Sequence, residues 1–273
     1  MSDPTDKAAE FLALHHRERP LLMANAWDAG SARLFASLGF EALATTSSGY
    51  AATLGRLDYG VSRDEALVHA ASLAAATGLP LSADLENCFA EDLGGVAETV
   101  RLARGAGLAG CSIEDWCPSE QRIYDLEEAV ERVAAAAAAA HEGDRGLVLT
   151  ARAENFLRGH SDLEDTIERL RRYEQAGADV LYAPAVDSAA DIAALVSELQ
   201  RPVNVLARAT VPPVAELAEI GVKRISVGGA FAFAALAAAG EAARELLSEG
   251  TYGYSARAAD GGRLARAAFG GQR

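Results

Sequence analysis

The chain is 273 residues long, half of its residues are hydrophobic, and its formal net charge at pH 7 is −14. This length can bury one large α/β core or two small ones. The negative charge argues against binding to nucleic acid or to an anionic membrane surface. The three cysteines show no paired zinc spacing, and no apolar run approaches the roughly 20 residues of a membrane span, so we expect a reduced, cytoplasmic protein.

Short apolar runs alternate with helical stretches along the chain. The predicted strands are 21–27, 42–48, 81–86, 109–115, 147–154, 179–185, 202–207 and 224–229. The segments between them have apolar residues at helical spacing, and the alanine run 134–140 is predicted as helix. A glycine precedes the next strand in SLGFEAL, GAGLAG, QAGADVL and EIGVKRI, which is typical of helix ends.

Continuously apolar strands that alternate with helices are typical of a parallel sheet covered on both faces. Eight such repeats in a chain of this length predict a (β/α)8 barrel of the TIM type. A doubly wound open sheet is the alternative, but ANAWDAGSARL lacks the G-x-G-x-x-G turn that normally follows its first strand. No flexible linker interrupts the chain, so we expect one domain over 1–273. Residues 248–273 are expected to form a C-terminal helix or tail that packs on a neighbouring subunit.

Residues of a few chemical types, mainly carboxylic acids and hydroxyl-bearing side chains, follow the predicted strands. They lie at the strand ends that form the active-site face of a barrel. They are Asp28, Thr46, Ser47, Ser48, Gly49, Asp84, Glu86, Glu114, Asp115, Arg152, Glu154 and Asn204. Converging carboxylates repel each other unless a cation lies among them, and oxygen ligands favour Mg²⁺ or Mn²⁺ over zinc. Asp84, Glu86 and Glu114 are therefore predicted to hold Mg²⁺, with Mn²⁺ as the alternative. Asp28 and Asp115 are interpreted as helix N-caps.

Arg152 has two open explanations from the residues alone. Its side chain either neutralises Glu114 or Glu154, or it presents a planar fork to a substrate carboxylate. The sequence pattern favours neither explanation.

The chain resembles the isocitrate lyase/phosphoenolpyruvate mutase superfamily over nearly its full length. The matching motifs are NAWDAGSARLFASLGFEALATTSSG, LDYG, SADLEN, GCSIED, LTARAEN and GVKRISVGG. Their order and spacing make the set specific. The resemblance implies an (α/β)8 barrel with Mg²⁺ at its mouth, a small 2-oxo or 2-hydroxy acid as substrate, and a homo-oligomer, dimer or tetramer, whose C-terminal helix packs on the adjacent barrel.

The resemblance also implies roles near the metal. Asp84 matches the aspartate that binds the metal directly, and Glu86 and Glu114 match carboxylates that hold it through water. Asp58, in LDYG, matches an aspartate near the metal and the substrate.

For the substrate, the resemblance implies a second set of contacts. Ser48, Gly49 and Tyr50 lie where backbone N–H groups hold a substrate carboxylate. Arg152 matches the arginine at the oxo-acid end of the substrate, and Asn204 is a weaker match kept as a contact.

The loop after the fourth strand departs from the superfamily pattern. Lyases carry Lys-(Lys/Arg)-Cys-Gly-His there, with the cysteine acting as acid or base, whereas this loop reads EDWCPSEQRIYD. Cys117 remains, but within the loop only Arg122 offers the positive charge that lowers a thiol pKa. Cys117 is therefore either the catalytic acid or base or an incidental loop thiol. The Lys and Asn loop of the mutases is not recognisable either.

Together these features predict a Mg²⁺-dependent lyase that cleaves a C–C bond in a small 2-hydroxy or 2-oxo di- or tricarboxylate. Isocitrate, 2-methylisocitrate and oxaloacetate are the candidate types, and the reaction would pass through an enolate-like intermediate. Arg152, Asp58 and Cys117 are the expected catalytic residues. A phosphonate mutase or hydrolase and a non-catalytic oxo-acid-binding protein are the alternatives. The altered loop leaves the substrate and the choice among C–C cleavage, decarboxylation and P–C chemistry open.

Overall fold

The computed structural model describes residues 4–143 and 146–270 of the chain. Its strands are β1 (Leu21–Ala26), β2 (Ala42–Thr45), β3 (Leu81–Asp84), β4 (Gly110–Glu114), β5 (Trp116–Cys117), β6 (Arg122–Ile123), β7 (Val148–Arg152), β8 (Val180–Tyr182), β9 (Val203–Leu206) and β10 (Arg224–Ser226). Eight of them form a closed parallel barrel in the order β1, β2, β3, β4, β7, β8, β9, β10, and β5 pairs with β6 as a separate antiparallel hairpin. The predicted (β/α)8 barrel and all eight of its predicted strands are confirmed.

Helices connect and cover the strands. They are α1 (Pro4–Leu14), α2 (Ala29–Ser37), α3 (Ser47–Thr53), α4 (Arg63–Ala76), α5 (Leu93–Gly105), α6 (Leu126–Ala140), α7 (Leu163–Gln175), α8 (Ala189–Glu198), α9 (Val214–Ile220), α10 (Ala230–Ser248) and α11 (Ser255–Phe269). The alanine run 134–140 lies inside α6, as predicted. The four predicted helix-ending glycines have φ angles between 78° and 107°, the left-handed region in which glycine lacks the Cβ penalty: Gly39, Gly107, Gly177 and Gly221. None of the helices in the described part of the chain is long and apolar enough to cross a bilayer.

The barrel interior is closed at its N-terminal end and open at the other. Phe11 and Leu14 of the N-terminal segment are buried there against Leu21, Val148 and strand residues of the same cluster. A Cβ on Gly110 would lie 2.8 Å from the Phe11 ring, so the glycine makes room for this plug. The upper interior is lined instead by small side chains from four strands: Ala44, Ser82, Ser112 and Ser226. These leave space for a ligand where many barrels are filled by side chains.

All eight barrel strands end one to three residues earlier than predicted, and the predicted C-terminal helix is confirmed. Strand β2 ends at Thr45 rather than at residue 48, because the Thr46 side chain accepts a hydrogen bond from the Gly49 N–H and starts helix α3 at Ser47. The predicted tail is largely helix α11, which packs on α2 of the same chain, with the Phe269 ring near Gly30. Residues 271–273 lie outside the described residues, and packing on a neighbouring subunit stays a prediction.

Candidate active site

A cavity of about 180 Å³ opens at the C-terminal ends of the barrel strands. Its lining includes Asn25, Thr46, Ser47, Ser48, Asp58, Asp84, Arg152, Tyr182, Arg224, Gly228 and Gly229. The parallel register explains this convergence, since Glu114 at the end of β4 pairs with Arg152 at the end of β7. Asp84 at the end of β3 pairs with Ser112 of β4 in the same way.

Asp84 is held in place by both carboxylate oxygens. Its Oδ1 accepts from Arg152 Nη1 at 3.0 Å and from Ser112 Oγ at 3.4 Å. Its Oδ2 accepts from the backbone N–H and the hydroxyl of Ser47, at 3.3 and 3.1 Å. The same Ser47 hydroxyl lies 2.9 Å from Asp58 Oδ1. Ser47, which the sequence placed at the active-site face without a role, therefore bridges two of the predicted site carboxylates.

Asp58 lies at the rim of the cavity beside Asp84. The loss of water around its carboxylate and the charge of Asp84 raise the pKa of Asp58, although part of the residue is exposed to solvent. This position agrees with the predicted neighbourhood of Asp58 and supports a role in proton transfer as a proposal.

Glu86 is buried and its backbone has a φ of 50°, the left-handed region that is uncommon outside glycine. Its Oε1 is buried without a hydrogen-bond partner among the described residues. Burial, together with the charges of Asp84 and Asp58, raises the pKa of Glu86 to about 8. A left-handed backbone at a residue other than glycine and a buried oxygen without a hydrogen-bond donor both cost free energy. Features of this kind are concentrated at functional sites.

Glu114 is buried on the other side of Asp84. Its Oε1 accepts from the Tyr59 hydroxyl at 2.7 Å and its Oε2 lies 3.1 Å from Arg152 Nη2. Burial raises the pKa of Glu114 well above its usual range; Arg152 opposes this, and Glu154 and Asp84 add to it.

Arg152 lies among three carboxylates. Its guanidinium nitrogens are 3.0 Å from Asp84, 3.1 Å from Glu114 and 2.8 Å from Glu154. The ion pairs of the first explanation are therefore present, and they involve both glutamates. The second explanation, contact with a substrate carboxylate, stays a prediction. Its place in the cavity lining also leaves it in reach of a ligand.

A second layer supports these residues. Arg158 pairs with Glu154 at 3.5 Å, donates to the Tyr59 hydroxyl, and lies 4.0 Å from the centre of the Trp116 ring. It thus connects loops that follow β2, β4 and β7. Arg158 was not singled out from the sequence, although Tyr59 and Glu154 stand in the LDYG and LTARAEN motifs.

The electrostatics of this mouth fit a hard cation. Among the described residues of the cluster, five carboxylates (Asp58, Asp84, Glu86, Glu114 and Glu154) surround two guanidinium groups. No three His, Cys, Asp or Glu side chains in the described ranges converge closely enough to hold a metal ion on their own. Mg²⁺ keeps several waters and needs one or two protein carboxylates, so oxygen donors with excess negative charge and one orphaned oxygen suit it.

The predicted carboxylate-binding turn is only partly at the cavity. Ser48 lines it, but the Gly49 N–H donates to Thr46 Oγ1 at 3.2 Å and the Tyr50 N–H donates to the Thr46 carbonyl at 3.0 Å. The Tyr50 ring stacks on His69, 3.7 Å between centroids, outside the main cavity.

Asn204 lies below the cavity. It is buried in the barrel interior, where its amide donates to Ser226 Oγ at 2.9 Å and its carbonyl oxygen accepts from Arg224 Nε at 2.9 Å. It does not contribute to the cavity lining. Its predicted contact with the substrate stays a prediction.

Cys117 lies on the β5–β6 hairpin and is not brought to the main cavity. It lines a neighbouring cavity of about 550 Å³, together with Glu86 and Tyr59. Burial raises the pKa of the Cys117 thiol, but hydrogen bonds with the Ser119 hydroxyl, the Glu120 backbone N–H and Tyr124 outweigh it and lower the pKa.

Arg122 does not supply the positive charge expected at this thiol. It pairs with Glu120 and Glu128. Hydrogen bonds, rather than a neighbouring cation, therefore lower the thiol pKa.

The two aspartates interpreted as helix caps have different outcomes. Asp28 caps α2, accepting from the Ser31 N–H at 2.6 Å, as predicted. The prediction for Asp115 is wrong: its carboxylate is buried and accepts from the Tyr173 hydroxyl at 2.6 Å, from Arg169 at 3.2 Å and from the Glu154 N–H at 2.8 Å. It fixes the end of β7 next to the site instead of a helix start.

The fold and the carboxylate cluster at its mouth define a (β/α)8 barrel with a candidate active site, and comparison with known proteins identifies the family. Residues 11–247 match the family described as phosphoenolpyruvate phosphomutase, and the chain belongs to this family. The predicted superfamily membership and the prediction of an enzyme are thereby confirmed.

Three relatives illustrate the similarity. A crystal structure of a candidate lyase/mutase from Burkholderia cenocepacia J2315 is 49% identical, with a TM-score of 0.93 over 97% of this chain and 96% of that one. Escherichia coli K12 2-methylisocitrate lyase is 30% identical over 71% of this chain and 67% of its own length. Oxaloacetate acetylhydrolase, solved with its product oxalate, is 26% identical with a TM-score of 0.86 over 98% of this chain and 95% of that one.

Proposed function

We propose that this protein is a Mg²⁺-dependent lyase that cleaves a C–C bond in a small 2-oxo or 2-hydroxy di- or tricarboxylate, of the isocitrate, 2-methylisocitrate or oxaloacetate type. The observation that carries the proposal is the cluster of carboxylates around Arg152 at the mouth of a small barrel cavity. The named activities of 2-methylisocitrate lyase and oxaloacetate acetylhydrolase support it. A volume of about 180 Å³ is below the range of drug-sized pockets, which favours the smaller acids.

The residues have separate roles in this proposal. Asp84 would hold Mg²⁺ directly, and Glu86 and Glu114 would hold it through water. When bound, the ion supplies positive charge that stabilises negative charge growing on the substrate's oxo-acid end. Arg152 orients the substrate carboxylate at the same end, and its side chain is only 14% exposed, so its charge is weakly screened by solvent.

Proton transfer falls to residues at the edge of the cavity. Burial and the charge of Asp84 raise the pKa of Asp58, and Ser47 connects the two carboxylates, so Asp58 is placed to accept or return a proton at the edge of the cavity. Cys117 is the second proposed acid or base, and its thiol reaches the substrate only if the hairpin closes over the mouth.

A panel of acids incubated with the protein and Mg²⁺ tests this function. Isocitrate, 2-methylisocitrate, oxaloacetate and phosphonopyruvate are supplied, and glyoxylate, pyruvate, CO₂, oxalate and phosphate are measured. We expect a C–C cleavage product from one of the carboxylic acids, lost when EDTA replaces Mg²⁺ and in Asp84→Ala. Turnover that is unaffected by EDTA would contradict the metal site.

A phosphonate enzyme is the second candidate, favoured by the family description that the chain matches. Phosphate release or rearrangement of phosphonopyruvate in the same panel would establish it in place of the lyase. Tight Mg²⁺-dependent binding of the acids without any product would instead identify an oxo-acid-binding protein, which the distance of Cys117 from the main cavity favours.

A further inference from the structure

A second arginine lies in the floor of the same cavity. Arg224 is the first residue of β10, and its side chain points into the barrel, with 5% of the residue exposed. Its Nε donates to Asn204 Oδ1 at 2.9 Å and its Nη1 donates to Thr150 Oγ1 at 3.0 Å. Its Nη2 has no hydrogen-bond partner among the described residues and is not among their fully buried unpaired atoms. Arg224 contributes to the lining of the cavity.

A further neighbour of Arg224 is a neutral histidine. His15 Nδ1 lies 2.7 Å from the Phe11 carbonyl, which makes this nitrogen the donor and leaves Nε2 to accept from Arg224 Nη1 at 3.4 Å. Burial and the charge of Arg224 lower the pKa of His15 to about 3, so it is uncharged at neutral pH. No carboxylate of the described residues lies within salt-bridge distance of Arg224, whose partners are an amide, a hydroxyl and an imidazole.

Two other arginines with little exposed surface are compensated. Arg152, whose side chain is 14% exposed, pairs with three carboxylates in the same cavity. The buried Arg132 also lacks an acidic partner among the described residues, but it donates to three backbone carbonyls and lies 4.4 Å from the centre of the Tyr124 ring. Arg224 has neither form of compensation and is the one of these three that lies at the base of an open cavity.

A buried positive charge without a counter-ion is unfavourable unless an anion completes it. We propose that Arg224 binds the distal carboxylate of a dicarboxylate substrate, whose oxo- or hydroxy-acid end lies at Arg152 and Asp84. This inference rests on the proposed function and assigns the specificity for a second carboxylate to the barrel floor. Because both arginines line one cavity of about 180 Å³, the two recognised groups must belong to a short acid.

Two ligands that differ by one carboxylate test the recognition of each end of the proposed substrate separately. Malate and lactate share a 2-hydroxy acid end, and malate has the additional distal carboxylate. Dissociation constants with Mg²⁺ are measured by calorimetry for the full-length wild type, Arg224→Gln, Arg224→Lys and Arg152→Lys. We expect the wild type to prefer malate, and Arg224→Gln to weaken malate binding about 10- to 100-fold while lactate binding is unchanged, since a hydrogen bond to a charged group is lost.

The other variants control for folding and for the charge. Arg224→Lys keeps the charge without the fork and should weaken malate less than Arg224→Gln. Arg152→Lys should weaken both acids, and Arg132→Gln, a buried arginine outside this cavity, should change neither. Melting temperatures show that each variant is folded.

The outcomes distinguish the two proposals. If the wild type binds malate and lactate equally, or if Arg224→Gln weakens both alike, the role of Arg224 is overturned while the oxo-acid site stands. If the wild type binds neither acid with Mg²⁺, both proposals are overturned.

Discussion

At the scale of single residues, the contacts of the site converge on Asp84. One carboxylate oxygen faces Arg152 and the other faces Ser47, and Asp58 lies beyond Ser47. A carboxylate with two fixed partners is oriented before any ligand arrives, which is what a metal ligand requires. Glu86 differs, because its orphaned Oε1 is buried beside the cluster without a donor. An ion bound at Asp84, with one of its waters donating to Glu86, would relieve both the repulsion and the missing contact.

Asp84→Ala tests this assignment directly. We expect Mg²⁺-dependent binding of malate to fall by more than about 100-fold, because even residues that only support metal ligands are worth about 10- to 100-fold. The barrel should stay folded, since Arg152 keeps Glu114 and Glu154 as partners. Calorimetry measures the binding.

Asp28→Ala is the matched control for that variant. It removes a helix cap outside the cavity lining and should lower the free energy of unfolding by about 1 kcal/mol without changing the affinity. Undiminished binding in Asp84→Ala would contradict the metal assignment.

At the scale of elements, most of the barrel was predictable, but the contacts between residues that are distant in the sequence were not. Strands buried on both faces produce uninterrupted apolar runs, and helix ends require left-handed residues, so 21–27 and 224–229 were recognisable from local pattern alone. Asp115 shows the limit of prediction from local pattern. Its partners Tyr173 and Arg169 are more than fifty residues away in the sequence, and only the folded barrel brings them into contact with it. Arg224 was missed for the same reason, because its lack of an acidic partner is visible only in three dimensions.

The β5–β6 hairpin is the element that decides whether Cys117 takes part in the reaction. Its strands are two residues each, and it lies over a cavity that includes Glu86. Arg158 against the Trp116 ring ties the hairpin to the site. A short hairpin held by a few side chains moves more readily than the barrel strands, and its closure over the mouth is the movement that would bring Cys117 to the substrate.

We therefore expect Cys117 to react with iodoacetamide faster than the other cysteines. Its thiol pKa is lowered, whereas burial raises the pKa of Cys88 to about 12 and also raises that of Cys111, and the thiolate is the reacting form. Mass spectrometry of the labelled protein identifies the site, and Cys117→Ser shows whether other thiols react.

The kinetics of that variant complete the test. If Cys117 is the acid, Cys117→Ser slows turnover by about 100-fold or more. Unchanged turnover would make Cys117 an incidental loop thiol and leave Asp58 as the proposed proton-transfer residue.

At the scale of the whole molecule, the barrel separates two electrostatic environments along its axis. The mouth has an excess of carboxylates whose pKa values are raised, among them Glu86 and Glu114. The floor has Arg224 and the neutral His15. An acid that spans the cavity would contact the proposed metal site at the mouth with one end. Its other end would contact the uncompensated guanidinium of Arg224 at the floor.

This arrangement gives His15 a defined effect on stability. Its folded pKa, about 3, lies below the ordinary value of 6.5, so on acidification the unfolded chain binds a proton that the folded protein does not. The stabilisation from neutral His15 is therefore fully present above pH 6.5 and is lost as the pH falls towards 3. Its slope is at most about 1.4 kcal/mol per pH unit.

The comparison of wild type with His15→Gln isolates this contribution. The raised carboxylate pKa values at the mouth act in the opposite direction, but they are common to both proteins and cancel in the difference. We expect the wild type to be the more stable near pH 7, and its advantage, measured by urea unfolding, to shrink by about 1 kcal/mol per unit between pH 6 and pH 4. The exposed neighbour His16 provides the control variant His16→Gln. A difference between wild type and His15→Gln that does not change between pH 6 and pH 4 would mean that folded His15 is already protonated in that range, so that Arg224 then has a charged neighbour there instead of a neutral one.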